Sequence, residues 1–162
     1  MAACGTHTSV EPGADLAALA REIIDANQYM TLATADEDGH PWASPVWFAH
    51  EDYTRFVWVS KPDARHSGNL VGRDQAGIVI FDSTVPVGGA RAVYLDARVE
   101  QLDADRAERY IAVFSRRSEE RGGPRWTGDD VRPPASLRLY LASASAHYVL
   151  GENDERIAVR LG

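Results

Sequence analysis

Apolar and polar positions alternate along this chain with two different periods. Leu16, Leu19, Ala20, Ile23 and Ile24 fall at i, i+3, i+4, i+7 and i+8. That single stripe predicts a helix over residues 15–27, capped by Asp15 and plugging one end of a sheet structure. From Tyr29 the period shortens to that of a strand. Residues 29–35 predict a strand, Asp36-Glu37-Asp38-Gly39 a tight hairpin loop with Gly39 at positive φ, and residues 40–49 the return strand. Pro41 and Pro45 cannot donate to a ladder, so this strand should be an edge, carry a bulge, or face something other than a strand. His50-Glu51-Asp52 turns into a third strand over residues 54–60, completing a predicted antiparallel meander.

Gly77-Ile78-Val79-Ile80-Phe81 is a continuous apolar run, which predicts a central strand buried on both faces. In residues 91–101, Val93, Leu95, Ala97 and Val99 point one way and their neighbours the other. Asp103 should cap a second long helix to about Arg117, with Ala107, Tyr110, Ile111 and Phe114 on its buried stripe. Residues 121–136 hold three glycines, three prolines and Trp126 without periodicity, a loop long enough to be functional or disordered. Strands over 137–150 and 156–161 close the chain. About seven strands, mostly sequential, with three helices and no regular βαβ alternation predict a β-rich α+β fold, a closed or nearly closed antiparallel barrel.

Composition adds limits. The 162 residues are 44% hydrophobic and 25% charged, ordinary for one globular domain, here placed at residues 14–162 behind a mobile tail of residues 1–13. Net charge is −7 and no Lys/Arg block occurs, which argues against a nucleic-acid partner. Cys4 is the single cysteine and lies in the tail, so neither a disulfide framework nor a cysteine zinc site is available. The five histidines show no HExxH-type spacing, and no metal site is expected. No run approaches membrane-spanning length and no basic–apolar leader is visible, so the expectation is a soluble cytoplasmic protein with no membrane partner.

The stretch over residues 56–70, FVWVSKPDARHSGNL, carries the candidate chemistry. A strand ends at Ser60, Lys61-Pro62 breaks it, and a short helix opens near Asp63, the expected cap, with Arg65 and His66 in its first turn. Free N–H groups and a positive dipole end, joined by a guanidinium and an imidazole, make a phosphate cradle. The competing reading is two solvated helix-start residues. Ser44, Pro45, Val46 and Trp47 on the return strand, with Val59 and Ser60 beside them, could face a planar ring through backbone groups freed by Pro45; plain strand packing is the alternative. Trp47 and Trp58 could pair across the hairpin, with core or dimer packing their simplest use, and His147 reads as a structural histidine. No nucleophile–base pair or carboxylate dyad stands out, so catalytic residues are not assigned and a cofactor would carry any chemistry.

The ordered set Met30-Thr31-Leu32-Ala33-Thr34, DEDG, Pro41-Trp42-Ala43-Ser44-Pro45-Val46-Trp47-Phe48, Trp58-Val59-Ser60 and Ala64-Arg65-His66-Ser67-Gly68-Asn69-Leu70 resembles the pyridoxamine 5′-phosphate oxidase-like, FMN-binding split-barrel proteins. The resemblance implies a six- or seven-stranded Greek-key barrel, a homodimer, and FMN between the subunits. It implies that residues 44–49 border the flavin ring, that Val59 and Ser60 contact the ring or phosphate side, and that Arg65 and His66 hold the phosphate. His66 stands where the family has lysine, Ser44 and Ala49 where the authentic oxidase has basic residues, and no Arg-x-His motif appears near the C-terminus. These departures point away from pyridoxamine phosphate and toward another small-molecule substrate of an FMN-dependent oxidoreductase. The same fold hosts deazaflavin-dependent reductases and haem-binding relatives, so a deazaflavin (with Lys61 and Arg73 as nearby cations) or a non-enzymatic flavin or haem module is the alternative.

Overall fold

The structure, a computed structural model, describes residues 12–151 and 153–162. Apart from Pro12 and Gly13, the predicted tail lies outside the described residues. The first helix, α1 (Pro12–Ala26), begins at Pro12, ahead of the expected cap. It is followed by β1 (Tyr29–Ala35), β2 (Pro41–Trp47), β3 (Ala49–Glu51), β4 (Arg55–Ser60), α2 (Arg65–Gly72), β5 (Gln75–Phe81), β6 (Ala92–Gln101) and α3 (Ala104–Glu120). A 3-10 turn at Gly128–Val131, β7 (Arg138–Leu150) and β8 (Arg156–Val159) complete the order.

Eight strands form one curled antiparallel sheet in the order β2-β1-β5-β6-β7-β4-β3, with β8 on the far end of β7. This is the expected α+β barrel architecture, with one strand more than the upper count predicted from sequence. The β1–β2 hairpin closes as expected, with Gly39 at φ +88°. The Asp36 carboxylate accepts the N–H groups of Asp38 (3.1 Å) and His40 (2.8 Å), which pins the loop.

The predicted meander is not formed. β2 pairs only with β1 and is an edge strand, as its two prolines suggested. After Trp47 the chain passes through the buried Phe48 to the opposite edge of the sheet, where β3 pairs β4 and β4 pairs β7. The residues expected to make one return strand therefore supply two strands that belong to different edges. Trp47 and Trp58 do not meet across a hairpin. Trp47 packs edge-on against Phe114 at 4.8 Å, and Trp58 stacks on Tyr140 at 5.6 Å.

Two apolar clusters explain the layers. The interior of the curl holds Leu32, Trp58, Ile80, Leu95, Tyr140 and Val149, and α1 plugs it with Ala20, Ile23 and Ile24. A second cluster forms where α3 lays Ala107, Tyr110, Ile111 and Phe114 on the outer side of Val57, Leu139 and Leu141. Strands buried on both faces are thus β4 and the first half of β7, because α3 covers them. β5 alternates instead, with Ala76, Ile78 and Ile80 inward and its outer face open, contrary to the reading of its apolar run. Asp103 caps α3 as expected, accepting from the Arg106 N–H at 2.9 Å.

Candidate functional site

β2 and β4 deliver the candidate residues to one place. Along β2, Ser44 and Val46 turn inward, Pro45 faces out, and Trp47 is half-buried against α3. β4 ends in the half-buried Val59 and Ser60. Lys61, Pro62 and Asp63 then break the chain, and α2 starts from Ala64 as its N-cap. Asp63 is not the cap: α2 has no side-chain cap and no acidic residue in its first turn. Its leading N–H groups are therefore left to solvent or a ligand.

Inside this corner His66 is buried and bonded at both ring nitrogens. Nε2 lies 2.8 Å from Ser60 Oγ and Nδ1 lies 3.2 Å from Ser44 Oγ. Trp42 Nε1 donates to the same Ser44 oxygen at 2.9 Å. Burial pushes the imidazole pKa below its ordinary 6.5, so the ring is neutral at neutral pH. It offers hydrogen bonds there, not the permanent charge a lysine would bring. Arg65 is exposed and lies over the Trp42 ring at 4.3 Å, a cation–π contact, with no carboxylate partner among the described residues.

A cavity of about 600 Å³ opens beside β2, within the size range of small-molecule and cofactor sites. Six of the eight predicted residues line it: Pro45, Val46, Trp47, Val59, Ser60 and His66. Ser44 stands behind His66 and Arg65 sits outside over Trp42. The opposite wall was not among the predicted residues. It comes from Phe114 at the end of α3's buried stripe and from the following loop, through Arg121, Gly123, Pro124 and Trp126. Trp126 meets Phe114 edge-on at 5.4 Å, so Trp47, Phe114 and Trp126 form one aromatic wall facing the polar His66–Ser60 end. The loop's length and its tryptophan signalled a role; which sheet edge it would reach was a tertiary fact.

His147 keeps the structural role expected of it, with Nε2–H donating to the Tyr53 carbonyl at 2.7 Å. Arg91 pairs with Glu22 at 3.5 Å and does not line the cavity.

The comparisons with known proteins agree with this architecture. A family model described as pyridoxamine 5′-phosphate oxidase matches residues 16–141. The chain belongs to that family. The pyridoxine/pyridoxamine 5′-phosphate oxidase of Bordetella petrii is 31% identical over 139 residues, covering 86% of this chain and 62% of that protein. The chain therefore spans less than two thirds of that relative's length. Among solved structures, a haem-binding protein from Mycobacterium smegmatis superposes with TM-score 0.72 at 20% identity, covering 93% of this chain and 59% of that one. HutZ, the haem storage protein from Vibrio cholerae, superposes with TM-score 0.64 at 20% identity, covering 80% and 90%. At these identities the likeness is one of fold. Among the described residues no helix is long and apolar enough to cross a membrane.

Proposed function

We propose that the chain binds a planar, conjugated cofactor in the cavity beside β2, with FMN as the occupant its side chains suit best and oxidoreductase chemistry as the use. The carrying observation is the convergence of an aromatic wall, a polar His66–Ser60 end and an uncapped helix start on one cavity. The aromatic wall suits the face of a ring system. β2, paired on one side only, leaves backbone donors and acceptors along its other edge for a ring with alternating polar atoms. Arg65, held among the described residues by Trp42 alone, can turn toward a phosphate at the start of α2. When bound, a flavin supplies hydride or electron transfer at its ring. The chain's share is to hold that ring, keep water from it and present hydrogen bonds.

Haem is the second reading, favoured by the aromatic wall of the cavity and by the haem-binding proteins of the same fold. A deazaflavin is less well served. Of the two cations expected beside the pocket for its longer acidic tail, Arg73 donates to the Glu37 carbonyl at 2.8 Å, and neither it nor Lys61 lines the cavity.

A second copy of the chain would complete the site. The outward face of β1 and β5 exposes Tyr29 (60%) and Phe81 (48%) beside small residues, an apolar surface left uncovered among the described residues.

The test is a fluorescence titration of ligand-free protein with FMN and with riboflavin, which lacks the phosphate. FMN is expected to bind more tightly than riboflavin. Arg65→Ala should weaken FMN about 10- to 150-fold, the loss of one charge-assisted contact, and leave riboflavin unchanged. Equal FMN affinity in wild type and variant would remove Arg65 from the phosphate site.

A further inference from the structure

The polar end of the cavity is served by a chain of side chains that has a direction. Trp42 Nε1 can only donate, and it donates to Ser44 Oγ. Ser44 is buried, so its own hydroxyl hydrogen needs an acceptor. Among the described residues its side chain meets only Trp42, which accepts nothing, and His66 Nδ1. The hydrogen therefore goes to Nδ1. In a neutral ring that leaves the proton on Nε2, which donates to Ser60 Oγ at 2.8 Å. The Ser60 oxygen is then occupied as an acceptor, and its remaining hydrogen is available to the cavity that Ser60 lines.

We propose that Trp42 and Ser44 are positioning residues that fix His66 as its Nε2–H tautomer and thereby make Ser60 a hydrogen-bond donor to an acceptor oxygen of the ligand. The opposite tautomer would reverse the polarity. Nδ1–H would donate to Ser44, Ser60 would donate to Nε2, and the cavity would meet a lone pair that repels a phosphate or ring carbonyl oxygen. The relay thus selects for acceptor oxygens without spending a formal charge. Burial lowers the ring's pKa below its ordinary value and so favours the neutral form in which this direction is defined. Arg65 contributes indirectly by stacking on Trp42. The inference rests on the cofactor reading for the identity of the ligand, but the tautomer belongs to the empty protein.

The experiment is a long-range proton–nitrogen correlation spectrum of ligand-free protein labelled with ¹⁵N-histidine, recorded above the pKa of His66. The expected result is His66 protonated at Nε2 and bare at Nδ1. A ring protonated at Nδ1 overturns the proposal whatever the protein binds. Trp42→Phe removes the indole donor, so that Ser44 can accept Nδ1–H without holding two donors at once. Trp42 is 40% exposed, so the substitution leaves the core intact. His66 should then show a mixture of tautomers while His147 is unmoved; an unchanged His66 spectrum removes Trp42 from the relay. Ser60→Ala should weaken FMN about tenfold and Ser60→Thr, which keeps the hydroxyl, should restore it. An alanine variant that binds FMN as wild type does overturns the role of Ser60. If no flavin or haem binds and His66 is still the Nε2–H tautomer, the functional reading fails and the relay stands.

Discussion

His66 shows how one position changes meaning between sequence and structure. In the sequence it stands beside Arg65 as a second cation for a phosphate. In the fold it is buried and bonded on both sides, with its pKa lowered by desolvation. His50 and His147 are lowered too, chiefly by burial. The folded state therefore binds fewer protons than the unfolded chain just below pH 6.5. The sign follows: this contribution is fully present above the unfolded pKa and is lost as pH falls toward the depressed folded values. The urea midpoint should fall between about pH 7.5 and about pH 5.5, before carboxylates titrate. A midpoint that stays level across that interval would contradict neutral burial of these rings. Ser44 was legible as a candidate but its place behind His66 was not, because only packing tells which of two neighbours fronts a cavity. Asp63 was legible as a cap by residue type, yet the helix starts two residues later and leaves it outside.

At the level of elements, local signals were read well and partnerships poorly. The β1–β2 hairpin, the α1 and α3 stripes and the Asp103 cap rest on neighbours within a few residues, and the structure keeps each. The edge position of β2 was readable from Pro41 and Pro45. The destination of β3 and β4 was not, since the pairing of β4 with β7, which carries β3 to that edge, spans some eighty residues that have no local mark. The same blindness hid the far wall of the cavity. α3 is held over the sheet by its apolar stripe. At its end Arg117 donates to the carbonyls of Ile24 (3.2 Å) and Asn27 (2.8 Å), where cations suit the end of α1. That fixes where Phe114 and the Trp126 loop arrive. Phe114→Ala should cost about 3 kcal/mol in urea unfolding, as a buried ring leaves a cavity behind. It should also weaken FMN by removing the support of both tryptophans. A stable variant with unchanged FMN affinity would show that the aromatic wall is not part of the site.

For the whole molecule, the curl of the sheet, the plugging helix α1 and family membership agree, and the chemistry is narrower than the fold. Haem-binding proteins share this fold, so the choice of ligand lies with the residues around one cavity. Among the described residues they supply hydrogen bonds, an aromatic wall and the Arg121 guanidinium, with Arg65 just outside over Trp42. The open apolar face of β1 and β5 predicts that light scattering will give twice the 17.8 kDa of one chain. A monomer at micromolar concentration would mean that one chain carries the whole site.

A planar conjugated cofactor in the cavity beside β2 is what the fold and its side chains together propose. The most direct measurement is the visible absorption spectrum of the purified protein, followed by mass identification of what denaturation releases. The expected result is a flavin spectrum with FMN released at one per chain, or, on the second reading, a haem spectrum. A colourless protein that takes up neither FMN nor haem when they are added would contradict it.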